Sequence, residues 1–494
     1  MIEIVFDTLK NKELYEGDAL ALGRAFYPGD RVAAFEFRDR AESDDEDKEQ
    51  GTIVYMCSFS REKVSVSCGS LVHEADINED AQPRDIRHAF KRVLYKAFSG
   101  ITWKKLPWGC LTGVRPVNII SKQLRSGGDP QDIKERFREE YFVSKSKAQL
   151  AMDVALRQRQ LLADVDPAGF SLYIGIPFCP TTCLYCSFTS YPISAYGGMV
   201  RRYLDALYRE MRECSRIFNT APVTIYIGGG TPSALRAGEI SELLDVVNEC
   251  FDLSSVREVT FEAGRPDSID EDKLEAVKAH GIDRISVNPQ TMNDSTLTVI
   301  GRRHTAHQVK QAFALAREMG FSNINMDLIL GLPEEGLYEL ERTMTAIRML
   351  DPDSVTVHSL TVKRASRYNE MLLDNAISHV PEGVAANMNK TCQLYVSDMG
   401  MFPYYLYRQK QIADNYENVG YAREGKFCLY NVITMEETQS VLALGAGAVS
   451  KHVFTDGKIE RCDNVKEIAA YIDRIDEMIE RKMTLFGNRT GSGC

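Results

Sequence analysis

From residue 171 onward the apolar positions fall into short runs, at 172–176, 223–227, 259–262, 284–287, 324–330 and 355–360. The stretches between them repeat their apolar residues at helical spacing, as in 200–218. Strand-length runs alternating with helices predict a parallel sheet with crossover helices, either a barrel or an open doubly wound sheet. The first 165 residues are patterned differently. Positions 3–6, 32–37, 52–58 and 64–68 read as strands, and helical periodicity follows at 84–97 and 133–162, so 1–165 is expected to be a separate α+β domain. The acidic run 42–49 between two of those strands reads as a solvated loop. A core domain is expected at 166–369. The remainder, 370–494, is less regular and is expected to be mainly helical. It closes on 464–482, where Val465, Ile468, Tyr471, Ile472, Ile475 and Ile479 share one helical face.

Two short segments stand out from this pattern. In LPWGCLTGVRP, 106–116, the glycines and prolines suit an ordered turn, with Trp108 and Arg115 in structural roles. In LGAGAVS, 444–450, adjacent small residues suit close backbone approach to a ligand or strand.

Composition narrows the class without changing the picture. The chain has 494 residues, 44% hydrophobic and 26% charged, enough for two or three globular domains. Its net charge of −11 gives no electrostatic footprint for nucleic acid. The longest apolar run, 441–449, is half a membrane span, and the start MIEIVFDTLK lacks a secretory signal pattern, so a cytoplasmic protein is expected. Most of the 12 cysteines are scattered singly, which suits free thiols in a reducing compartment.

Cys179, Cys183 and Cys186 are the exception. They form a CxxxCxxC cluster directly after the 172–176 run, in a loop at a strand's C-terminal edge, where parallel α/β folds keep their chemistry. Three thiolates would leave one iron of a [4Fe–4S] cubane open for another ligand. Zinc and a disulfide are the alternatives, although neither His nor a fourth Cys lies within the next twenty residues, as structural zinc would need.

With Tyr185 ahead of its last cysteine, this loop resembles that of the radical S-adenosylmethionine (SAM) superfamily. Its flanks, SLYIGIPFC and CSF, resemble the oxygen-independent coproporphyrinogen III oxidase (dehydrogenase) family, with Gly175 where that family usually has His. That glycine and the long N-terminal extension resemble its HemZ-like branch. The resemblance implies a partial (β/α)6 barrel, one [4Fe–4S] cluster held by Cys179, Cys183 and Cys186, and SAM bound to the open iron.

Further motifs match in the family's order. Gly228-Gly229-Gly230-Thr231-Pro232, alone only a turn, falls where the family binds the SAM amino group, which implies SAM contacts for Gly229, Gly230 and Thr231. Glu262 in TFEAG resembles the acidic residue of TxEANP, and a carboxylate there can accept from ribose hydroxyls. Gln290 in SVNPQ, Arg302 in GRRH on the SAM carboxylate, Asp327 in MDLIL and Tyr173 beside the cluster complete the implied cofactor site.

The implied reaction is oxidative decarboxylation of two coproporphyrinogen III propionates to vinyl groups in haem biosynthesis, with an electron donor such as flavodoxin or ferredoxin. A substrate carrying four carboxylates calls for cations. Lys363, Arg364, Arg367, Arg408 and Lys410 are candidates, with ordinary surface charge as the alternative. Tyr404, Tyr405 and Tyr407 either stack on a pyrrole or fill core. The chain also departs from its relatives. Phe188 stands where the dehydrogenase has a further cysteine, as in the family's haem chaperones, yet the region RQKQIADNYENVGY lacks the chaperones' HNxxYW histidine. A haem-trafficking protein and a radical SAM methyltransferase acting on a tetrapyrrole are therefore the alternative functions.

Overall fold

The computed structural model describes residues 1–41, 51–186, 188–360, 383–408 and 417–487. The acidic run 42–49 and Lys363, Arg364, Arg367 and Lys410 lie outside the described residues. The chain divides into two compact units, one of Met1–Leu156 with Leu406–Glu417, the other of Arg157–Tyr405 with Asn418–Cys494.

The first unit holds a sheet of β1 (Ile2–Phe6), β2 (Val32–Glu36), β3 (Ile53–Phe59), β4 (Lys63–Cys68) and β5 (Leu71–Asp76), in the order β2-β1-β3-β4-β5. β1 runs parallel to β2 and β3, and β3 to β5 form an antiparallel meander. Helices Leu9–Phe26, N-capped by the Thr8 hydroxyl, and Pro83–Thr102 pack on it through Phe26, Phe90 and Phe98. The periodic stretch 133–162 is two helices, Pro130–Tyr141 and Lys145–Leu161, because Phe142 takes a left-handed conformation (φ 58°) and ends the first.

The turn 106–111 serves this unit. Trp108 is fully buried and its indole N–H donates to Glu417 Oε2 at 2.7 Å, while Lys147 pairs with Glu417 Oε1 at 2.5 Å. Arg408 lies over the Trp108 ring and donates to the Leu111 carbonyl at 2.8 Å. Burial lowers its pKa to about 10. Expected as a substrate cation, Arg408 is instead 4% exposed and committed to this packing. Its stem and charge are used inside the first unit.

The second unit contains β6 (Phe170–Ile176), the short pair β7 (Phe178–Cys179) and β8 (Tyr191–Pro192), β9 (Thr224–Gly229), β10 (Glu258–Gly264), β11 (Arg284–Val287), β12 (Asn323–Leu330), β13 (Ser354–Ser359), the first four residues of β14 (Phe402–Tyr407), β15 (Asn418–Ala422), β16 (Ser440–Leu444), β17 (Val449–Val453) and β18 (Ile459–Asp463). β6, β9, β10, β11, β12 and β13 are parallel neighbours in sequence order. Helices Val200–Cys214, Ala237–Cys250, Glu271–Ala279, Ala306–Glu318 and Leu337–Leu350 connect them. This is the six-fold β/α array that the pattern of runs predicts. Strands covered on both faces explain why the runs are apolar rather than alternating, as in FSLYIGI.

The C-terminal region carries helices and also extends this sheet at both edges. β15 pairs antiparallel with β13, and β16 pairs parallel with β6 and leads into the β17–β18 hairpin. Position Gly445, just after β16, explains the small residues of 444–450. A Cβ there would lie 2.5 Å from the Gly175 carbonyl oxygen, so β6 and this turn meet backbone to backbone. The stretch 464–482 is broken at Arg474 into helices Ile468–Asp473 and Ile475–Gly487. Tyr404 and Tyr405 are core residues, 1% and 5% exposed.

Candidate active site

The C-terminal ends of the parallel strands carry nearly every polar group singled out in the sequence. Cys179 ends β7, and Cys183 and Cys186 lie in the loop that follows, closed by a hydrogen bond from the Cys186 N–H to the Cys183 carbonyl at 3.1 Å. Cys179 is buried, and the Thr231 hydroxyl donates to its sulfur at 3.4 Å. Burial pushes the Cys179 thiol up to about 11, and also raises that of Cys186. In the free protein these two are neutral thiols, so binding a metal here releases protons.

The glycine turn is built into the same corner. Gly229 has φ 111°, and the N–H groups of Gly230 and Thr231 donate to the Ile176 and Phe178 carbonyls at 2.8 Å. A Cβ on Gly230 would sit 3.0 Å from the Cys179 sulfur, so only glycine leaves that sulfur's surroundings clear.

Glu262 projects from β10. It accepts a hydrogen bond from the Tyr226 hydroxyl and one from the Gly229 N–H at 3.2 Å. Burial pushes its carboxyl up to about 7, with Asp327 adding to the rise and the two hydrogen bonds opposing it. Asp327, on β12, accepts from Asn325 Nδ2 at 2.7 Å and lies 3.9 Å from His358 Nε2.

Gln290 has a left-handed backbone (φ 68°) held by its N–H on the Asp327 carbonyl and by its carbonyl accepting from Ile329, both at 3.0 Å. Its side chain is 7% exposed, and Oε1 is buried without a partner. Arg302 donates to the Asn288 carbonyl at 2.8 Å, and its Nε is likewise buried and unpartnered. Its charge acts on Tyr185 and Cys186. Tyr173, on β6, stacks 6.3 Å from Tyr226 and 6.4 Å from Tyr430. The structure thus places Cys179, Cys183, Cys186, Gly229, Gly230, Thr231, Gln290 and Arg302 at the C-terminal ends of the strands and in the loops after them, with Tyr173, Glu262 and Asp327 further back along β6, β10 and β12.

Sequence reasoning missed three participants. Arg265, 3% exposed, donates to the Thr181 hydroxyl at 2.7 Å and reaches Cys183 sulfur at 3.8 Å. It is held by a two-pronged pair with Asp267 at 2.8 and 3.0 Å. Burial works against the Asp267 charge, but His304 and Arg265 hold its carboxyl well below the usual carboxylate range. The signal was the departure of TFEAGRP from TxEANP, which places an arginine beside the cysteine loop. Tyr226 and His358 were legible only from strand alternation, since 226 and 228, and 356 and 358, face the same side.

The residues present fit a cluster with SAM beside it. Among the described residues, no three His, Cys, Asp or Glu side chains converge on a single ion. Cysteines that each ligate a different iron of a cluster need no such convergence. The described cysteines are all free of disulfides. The orphaned Gln290 Oε1 and Arg302 Nε are what a polar cofactor would satisfy.

The family model of the Radical SAM superfamily matches residues 173–347, from β6 into the helix before β13. The chain is 37% identical over 418 residues to the oxygen-independent coproporphyrinogen-III oxidase-like protein HemZ of Bacillus subtilis, covering 83% of this chain and 82% of that protein. It is 32% identical over 309 residues to the heme chaperone HemW of the same organism, covering 62% and 76%. The solved coproporphyrinogen III oxidase HemN of Escherichia coli, a radical SAM enzyme, matches with TM-score 0.52 at 22% identity over 66% of this chain and 73% of that one, a likeness of fold.

The fold is that of a radical SAM protein, with a [4Fe–4S] cluster and SAM as cofactors. Within that superfamily the chain belongs to the HemN/HemZ-like family. Among the described residues no helix is long and apolar enough to cross a membrane.

Proposed function

We propose that this protein is a radical SAM oxidoreductase that decarboxylates the propionate side chains of coproporphyrinogen III to vinyl groups. The observation that carries this reading is the gathering of three cysteines and two orphaned buried polar atoms at the strand ends. The 37% identity to an oxidase-like protein over most of both chains supports the substrate class.

When bound, the cluster and SAM supply a one-electron cleavage that yields a carbon radical able to take hydrogen from an unactivated position. The chain's own residues do the rest. Cys179, Cys183 and Cys186 are the cluster ligands, and the adjacent Thr231 hydroxyl and Arg265 guanidinium donate toward sulfur, which tempers the thiolate charge. Gly229, Gly230 and Thr231 are the residues that would hold SAM's amino group. Arg302 takes its carboxylate, and Gln290 offers its amide oxygen to the nucleoside. Glu262 would accept from ribose hydroxyls, with Asp327 and Tyr173 close to it. A flavodoxin- or ferredoxin-type donor supplies the electron for each cleavage, and a separate terminal electron acceptor takes up the electron that the substrate gives up as each CO2 leaves.

A second reading is favoured by one feature. Phe188 stands where a further cysteine would continue the motif and is 74% exposed, and the chain is also similar to heme chaperones. That reading is a haem-trafficking protein.

The deciding experiment is an anaerobic assay of the reconstituted, dithionite-reduced protein with SAM and coproporphyrinogen III, following 5′-deoxyadenosine and tetrapyrrole masses. Loss of two CO2 equivalents with matching 5′-deoxyadenosine supports the decarboxylase. Stoichiometric haem binding with an unchanged tetrapyrrole supports the chaperone.

A further inference from the structure

Inside the sheet, one carboxylate is held by an arrangement that the cofactor assignments do not use. Tyr226 and Gly228 face the same side of β9, and Glu262 faces them from β10. A Cβ on Gly228 would lie 2.6 Å from Glu262 Oε2 and 2.7 Å from the Tyr226 ring, so the glycine makes room for both side chains at once. The Tyr226 hydroxyl donates to Glu262 Oε1, and the Gly229 N–H occupies a lone pair of Oε2. Tyr226 is itself fixed by stacking. Its ring lies 4.7 Å from Tyr430 at 23° and 6.3 Å from Tyr173 at 15°. Tyr430 is anchored in turn, because its N–H and that of Leu429 donate to Glu258 at 3.2 and 2.8 Å.

The structure assigns Tyr226 as a positioning residue that holds the Glu262 carboxylate in one orientation toward the ribose hydroxyls of SAM. The assignment rests on the cofactor reading above. Each oxygen of Glu262 has one internal donor and keeps a lone pair for a ribose hydroxyl, the pattern a diol needs. The phenol also favours the charged form. Burial and the nearby charge of Asp327, itself beside His358, push Glu262 toward neutrality, and Tyr173 and Tyr430 bring only neutral phenols to that surface. Without the phenol hydroxyl the carboxyl titrates at higher pH, and at neutral pH a larger share of it is protonated and presents a donor where an acceptor is required.

The test is Tyr226→Phe, which keeps the stacked ring and removes only the hydroxyl. SAM affinity of the cluster-loaded protein is measured by anaerobic equilibrium dialysis from pH 6 to pH 9, alongside iron content and melting temperature. The expected result is unchanged iron, SAM binding weaker by about tenfold at pH 7, and a deficit that shrinks toward pH 9 as Glu262 ionises. A purely structural role would weaken binding equally at every pH. Wild-type SAM affinity and pH profile in Tyr226→Phe would overturn the assignment of Tyr226 alone. A fully loaded wild-type protein that binds no SAM would overturn the cofactor reading and this assignment with it.

Discussion

Two buried carboxylates in the second unit, Glu210 and Glu262, have opposite surroundings. Glu210, 0% exposed, accepts four hydrogen bonds, from Gly445 N–H at 2.8 Å, Asn464 Nδ2 at 2.8 Å, Tyr471 hydroxyl at 2.7 Å and Lys482 Nζ at 2.7 Å. Both oxygens are satisfied and the charge is neutralised in place. Glu262 accepts two hydrogen bonds and has no cation partner among the described residues, and nearby Gln290 Oε1 and Arg302 Nε have none at all. A polar group removed from water is costly unless paired, so the first arrangement is finished as it stands and the second awaits a ligand. The finished one ties the helix Val200–Cys214 to the turn after β16, which meets β6 at Gly175. The two carboxylates thus differ in whether their charge is neutralised inside the fold, by Lys482 for Glu210 and by no cation among the described residues for Glu262.

The contrast is broken most forcefully at Glu210. Changing Glu210→Ala leaves Lys482, 1% exposed at its side chain, as an uncompensated buried charge, and a loss of about 3–5 kcal/mol in unfolding free energy is expected by denaturant titration. A loss below about 1 kcal/mol would mean the network is not holding this region.

Glu262→Gln should act in the other direction. A carboxyl raised to about 7 in the fold, from an ordinary 4.5, is favoured by folding in its protonated form, so its stabilising contribution is present below pH 4.5 and lost as pH rises through 7. At pH 8 the cofactor-free Gln variant is therefore expected to be more stable than wild type by about 1–3 kcal/mol, the difference fading toward pH 4.5. SAM binding should weaken about tenfold or more in the same variant. Equal stability at both pH values would contradict the unpaired state of Glu262.

Gln290→Ala should change stability least, within about 1 kcal/mol, because the amide oxygen it removes has no internal partner. Thermal melts check that figure. Weaker SAM binding with an unchanged melting temperature marks the residue as belonging to the unfinished arrangement.

The sheet of the second unit was legible because its strands are covered on both faces and so write themselves as uninterrupted apolar runs. The site was legible wherever a residue type is rarely used for anything else, as with the three clustered cysteines and the triple glycine. Arg265, Tyr226 and His358 escaped because arginine, tyrosine and histidine serve packing as readily as chemistry, and only their neighbours across the sheet distinguish the two. Helix breaks at Phe142 and Arg474 were invisible for a related reason. Residues that are neither glycine nor proline leave helical geometry there, under the pull of tertiary packing. Arg408 was misplaced because a charged residue after a strand looks exposed, whereas Trp108 and Leu111, some three hundred positions away, absorb it.

The account's central claim is that Cys179, Cys183 and Cys186 carry a cluster with an open iron, beside polar atoms left free for SAM. Electron paramagnetic resonance of the reconstituted, dithionite-reduced protein, recorded before and after SAM is added, tests this most directly when run on wild type and on each single Cys→Ala variant. The account predicts roughly four irons per chain and a signal shifted by SAM in wild type, with both lost in every variant. A cluster and SAM response like wild type in any one of the three variants would contradict it.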